Sequence, residues 1–94
     1  MNIRVISKSK RELVVEIEGE DHTLGNMLMK EALEHPSVEY ASYRIPHPLK
    51  STLEFTIVVK EGEDLSKTLL EVINRLREEM GSFKKAIEES LGRS

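Results

Sequence analysis

Apolar side chains recur at every second position near the start of the chain, at Ile3 and Val5 and again at Leu13, Val15 and Ile17. A period of two predicts strands with one wet face. Ser7-Lys8-Ser9-Lys10 between them reads as a hairpin turn. From Thr23 the spacing becomes helical, with Leu24, Met27, Leu28 and Ala32 on a 3.6-residue period. Thr23 is placed to cap the first turn and Pro36 to stop the element, so the first helix is expected from Leu24 to Glu34.

Val38 and Tyr40 share one strand parity and Tyr43 and Ile45 the other, which predicts a third strand bulged near Ala41 and Ser42 and ended by Pro46 and Pro48. Leu53, Phe55, Ile57 and Val59 give the cleanest alternation, followed by a turn at Glu61-Gly62 and a helix start at Asp64. The order is ββαββα. Two antiparallel hairpins with both helices on one face make a two-layer α+β fold with a four-stranded antiparallel sheet. The chain reads as a single domain over residues 1–94, without linker, repeat or low-complexity stretch.

The last helix, Asp64 to Leu91, shapes the functional reading. At 100° per residue, Leu65, Leu69, Val72, Ile73, Leu76, Met80, Phe83, Ile87 and Leu91 fall in an arc of about 100°. The stripe keeps its phase across Gly81, favouring one helix over two, although glycine costs about 1 kcal/mol against alanine. A bend at Gly81 with the tail folding back is the alternative. An unbroken helix would be about 40 Å long, whereas a compact chain of this size is roughly 32 Å across. Met80, Phe83, Ile87 and Leu91 would then overhang the sheet and ask for cover by another protein. On the first helix, Met29 and Leu33 lie on a different side from Leu24, Met27 and Leu28, which offers a second apolar face.

Composition narrows the remaining classes. Seventeen acidic against fourteen basic residues, interspersed along 94 positions, argue against autonomous DNA binding and against an anionic membrane surface. No apolar run approaches a membrane span, no targeting segment precedes Ile3, and the chain is expected in the cytoplasm. Without cysteine there is no disulfide, thiolate zinc site or thiol nucleophile. One third charged residues and no glutamine match usage in hot environments.

Glu18-Gly19-Glu20-Asp21-His22-Thr23-Leu24-Gly25-Asn26 runs an acidic loop into a helix whose first turn holds a glycine, a sign of close backbone approach. Continued by Leu28, Pro36, Val38, Ala41, Tyr43 and His47-Pro48, this pattern strongly resembles the small alpha-like subunits of archaeal and eukaryotic RNA polymerases. The resemblance covers most of the chain. It implies an alpha-like dimerisation domain that pairs with the larger alpha-like subunit of the polymerase through packed helices, the pair nucleating assembly of the two large catalytic subunits. The shared motif comprises Glu18, Gly19, Asp21, His22, Thr23, Leu24, Gly25, Asn26, His47 and Pro48. The expected partner interface combines Leu24 with Met29, Leu33, Met80, Phe83, Ile87 and Leu91.

Independent chemistry has little support. His22, His35 and His47 lack a ligand spacing, so no metal or cofactor is expected, and His22 reads as a hydrogen-bonding or capping residue. The acidic run Glu18 to Asp21 reads as a solvated loop at the positive end of the first helix. Scattered Ser and Thr lack a base, the glycines are too dispersed for a phosphate loop, and no catalytic residue is expected. Two other readings are a pterin carbinolamine dehydratase-like enzyme, whose adjacent-histidine signature is missing here, and a homodimeric ligand-sensing module.

Overall fold

Period-two segments pair into one sheet in the computed structural model, which describes residues 3–19 and 22–90, the side chains of Pro48 and of 82–90 excepted. The elements are β1 (Ile3–Lys8), β2 (Glu12–Glu18), α1 (His22–Glu34), β3 (Val38–His47), a 3-10 turn at Pro48–Lys50, β4 (Thr52–Val59) and α2 (Leu65–Ser90). All pairings are antiparallel in the order β1-β2-β4-β3. This is the expected two-layer α+β fold.

The register explains the core. Leu13, Val15 and Ile17 stand opposite Ile57, Phe55 and Leu53, and Ala41 and Tyr43 stand on the other side of Ile57 and Phe55. These rows form one apolar face. Leu28 and Ala32 of α1 and Leu65, Val72 and Leu76 of α2 bury themselves against it. Each fully buried large aliphatic side chain is worth about 1.5–3 kcal/mol.

The parity change in β3 lies at Glu39, not at Ala41 and Ser42. Val38 pairs with Val59 but Tyr40 with Val58, so Glu39 is the extra residue and the strand is regular from Tyr40 to Arg44. Arg11 holds this bulge, donating through Nε to the Val59 carbonyl at 3.0 Å and through Nη2 to Glu39 at 2.9 Å. Tyr40 consequently turns outward and Ala41 inward. The strand also continues through Pro46, within a second irregularity between Arg44 and His47. An edge strand tolerates the missing N–H.

Both helices differ slightly from expectation at their starts. His22 and Thr23 are already helical, which places Thr23 inside the first turn and not before it. α2 starts at Leu65, and Asp64 caps it by accepting the Lys67 N–H at 3.0 Å. α2 then runs unbroken through Gly81 to Ser90, while Leu91 falls outside the described residues. Among its described side chains the last buried apolar residue is Leu76, and residues 77–81 are exposed. From Leu76 to Ser90 the helix advances about 20 Å at 1.5 Å per residue. The protein measures 49 × 34 × 17 Å, and its radius of gyration of 14.9 Å exceeds the roughly 12 Å of a compact chain this long.

Candidate partner-binding surface

The acidic-loop motif resolves into a packing unit at one end of the sheet. Gly19 closes β2 at a positive φ of 81° and donates its N–H to the Ser51 carbonyl at 2.7 Å. Glu18 and His47 both stand opposite Thr52, so the two halves of the motif meet across β4. At the start of α1, His22 Nδ1 lies 3.0 Å from the Tyr43 hydroxyl, with the two rings edge to face at 5.6 Å. A Cβ on Gly25 would fall 2.5–2.7 Å from Cγ, Cδ2 and Cε2 of the Tyr43 ring. Glycine at this position therefore lets α1 lie directly on β3, and Tyr43 is the residue it makes room for. Asn26 points to solvent; Asp21 and the Pro48 side chain lie outside what is described.

With α1 fixed in this way, the apolar candidates separate. Leu33 is 52% exposed and Met80 47% exposed. Leu24 and Met29 are half-buried and pack partly against the domain's own core. Phe83 and Ile87 sit on described helix backbone with side chains outside the description, and Leu91 lies outside it altogether. Leu70, 61% exposed, was not anticipated, because it stands off the main stripe of α2. The signal was available: an apolar residue beyond the edge of an amphipathic arc faces away from the domain's own core.

Polar contacts also link the helices. Arg75 Nε donates to Glu31 at 2.9 Å, and His35 Nε2 lies 2.7 Å from Glu71. Falling numbers on α1 thus meet rising numbers on α2, which makes the pair antiparallel. Leu33 is level with residues 71–75, and Met80 lies toward the start of α1. Ser37 donates its N–H to His35 Nδ1 at 3.0 Å, which leaves the ring proton on Nε2, facing Glu71. Glu31 is nearly fully buried, and Arg75 neutralises it. A hydrogen bond with Glu31, followed by desolvation and repulsion from Glu31 and Glu34, holds the Glu79 carboxyl above its ordinary value, with Arg75 opposing.

The sheet face away from the helices carries a charged row beside Val14, Val58 and Tyr40. Arg4, Glu16, Glu54 and Arg44 form a row across all four strands, with Arg4–Glu16 at 2.9 Å and Arg44–Glu54 at 2.8 Å. The hydrogen bond to Glu54, reinforced by its charge, raises the Arg44 pKa further. Among the described residues no group of three or more His, Asp or Glu side chains is placed to hold a metal ion. No described helix is long and apolar enough to cross a membrane. The surface offers burial and ion pairing, with exposed apolar side chains on both helices, on β1, at Tyr40 of β3 and at Leu49.

Comparison with known proteins points the same way. Residues 12–86 match the family described as the RNA polymerase Rpb3/Rpb11 dimerisation domain. The chain is 41% identical over 78 residues to DNA-directed RNA polymerase subunit Rpo11 of Korarchaeum cryptofilum, covering 83% of this chain and 80% of that one. It is 33% identical over 93 residues to subunit Rpo11 of Pyrococcus furiosus, covering 93% and 98%. Its fold superposes on the crystal structure of DNA-directed RNA polymerase subunit L from Thermoplasma acidophilum with a TM-score of 0.74 and 27% identity, over 98% of this chain and 90% of that one.

Proposed function

The chain belongs to the RNA polymerase Rpb3/Rpb11 dimerisation-domain family, and from that premise we propose that it is a non-catalytic assembly subunit of DNA-directed RNA polymerase. It is a small alpha-like subunit of that enzyme. Residues 1–94 act as one dimerisation domain in the cytoplasm, pairing with the larger alpha-like subunit of an archaeal polymerase. The pair forms the platform on which the two large catalytic subunits assemble. Catalysis belongs to those chains.

The observation that carries this reading is the course of α2: Leu76 is its last buried apolar position among the described side chains, residues 77–81 are exposed, and the helix backbone continues to Ser90. A helix that runs about 20 Å beyond Leu76, exposed over residues 77–81, keeps its apolar side chains dry by packing on another protein. Leu24, Met29 and Leu33 contribute from α1, Met80, Phe83 and Ile87 from the end of α2, and Leu91 from the sequence that follows. The motif around His22, Gly25 and Tyr43 contributes indirectly by fixing the seat of α1 on the sheet.

The test is the double variant Phe83→Glu, Ile87→Glu. Two carboxylates placed in an apolar contact leave unpaired buried charge, a loss of several kcal/mol. Co-purification with the larger alpha-like subunit should be lost while circular dichroism still shows a folded chain. Undiminished co-purification would overturn the assignment of the helix end.

A further inference from the structure

We propose that, apart from its partner, the chain pairs with a second copy of itself through the flank of α2 that faces away from α1, and that the larger alpha-like subunit displaces this copy. The inference rests on the dimerisation reading above. A folded chain of 10.8 kDa exposes about 5,500 Å², whereas this one exposes 6682 Å². The surplus of roughly 1,100 Å² exceeds the ~800 Å² that each side contributes to a standard interface. The chain therefore carries enough extra surface for a stable dimer.

The flank holds apolar residues that the domain itself does not bury. Glu71 and Arg75 turn toward α1, which sets Leu70, Ile73, Arg77 and Met80 on the opposite side of the helix. Leu70 and Met80 are 61% and 47% exposed, and Ile73 is half-buried. Their spacing is self-complementary. Met80 and Phe83 stand as far beyond the point between Leu76 and Arg77 as Ile73 and Leu70 stand before it. In an antiparallel copy crossing at that point, Ile73 comes level with Met80 and Leu70 with position 83, so apolar positions recur on both sides of a twofold axis.

A domain that pairs with a like-folded partner offers the same face to its own copy, and such an isologous contact closes at two chains. Arg77 makes the self-pair the weaker of the two. It is exposed beside the axis and meets its own copy there, so like charges oppose the contact. A partner with an uncharged or acidic residue at this place escapes that repulsion. The copy covers the apolar flank until the partner arrives, and then yields to it.

Light scattering of the chain alone, from about 1 µM to about 500 µM, tests the proposal across the range of a micromolar contact. The mass should rise from 10.8 kDa to twice that value and stop there. A single-chain mass throughout, or one that climbs past two chains, overturns the proposal. Amide exchange in residues 66–81 should slow severalfold on pairing; slowing confined to β1 would make the contact an edge-to-edge sheet and overturn the use of α2. Arg77→Gln should tighten the self-pair roughly two- to fivefold; an unchanged or weaker dimer overturns the crossing point. The larger subunit at equal stoichiometry should leave no doubled chain, and its persistence overturns displacement. If the larger subunit binds while the chain alone stays single, this inference fails and the proposed function stands; if the chain doubles but never binds the larger subunit, the reverse holds.

Discussion

Replacing Gly25 by alanine puts a methyl group 2.5–2.7 Å from three atoms of the Tyr43 ring. The affected atoms include Cγ, next to the β3 backbone, and the hydroxyl at the far end is held by His22. The ring cannot swing aside without moving the strand or giving up that hydrogen bond. Overpacking of this kind costs about 1–3 kcal/mol, while the change from glycine to alanine inside a helix returns about 1 kcal/mol. The net expectation runs from about zero to a loss of about 2 kcal/mol. Gly81 supplies the control, since a Cβ there meets nothing within 4 Å. Gly81→Ala should stabilise by up to about 1 kcal/mol, so the two variants should differ by the clash alone, about 1–3 kcal/mol. Urea denaturation midpoints at constant m-value read the difference. In a Tyr43→Ala background, Gly25→Ala should become stabilising, like Gly81→Ala. Equal effects at the two glycines, or additivity with Tyr43→Ala within about 0.5 kcal/mol, would refute the account of the motif.

Two further predictions concern the helix pair. Arg75→Met leaves the Glu31 carboxylate buried without its guanidinium and should destabilise by about 1–3 kcal/mol; adding Glu31→Gln should recover part of the loss in thermal melts, and no recovery would place the effect elsewhere. Glu79 holds its proton more tightly when folded than when unfolded, because that proton bridges to Glu31. This contribution is present below the ordinary carboxylate range and is lost as pH rises through the raised value. Glu79→Gln, which donates at every pH, should therefore gain on the parent chain toward neutrality and match it in acid; the same difference between the two urea midpoints at both pH values would contradict the bond to Glu31.

The sequence revealed periods more readily than it did partners across space. Leu53, Phe55, Ile57 and Val59, and Leu65, Leu69, Val72 and Leu76, face inward as their spacing requires, because each set packs against one continuous face. β3 was harder. Its parity change is legible from Val38, Tyr40, Tyr43 and Ile45, but its position depends on Arg11, distant in sequence, gripping Glu39 and the Val59 carbonyl. Gly25 announced a close approach without saying to what; the answer, Tyr43, lies on the next strand. β1 reads as a half-buried strand, yet Ile3 and Val5 are exposed, since alternation fixes which face a residue takes and not whether a helix covers that face. Leu33 and Met80 were readable as surface apolar residues, whereas Leu24 and Met29 turned out to serve the domain's own core as well.

The measurement closest to the central claim is the mass in solution of the purified chain mixed with the larger alpha-like subunit, taken by light scattering at about 10 µM, a concentration that saturates any interface of nanomolar affinity. A helix built to be covered by that partner predicts one species containing one copy of each chain, with neither free chain remaining at equal stoichiometry. Two separate species with the masses of the unmixed chains would contradict it.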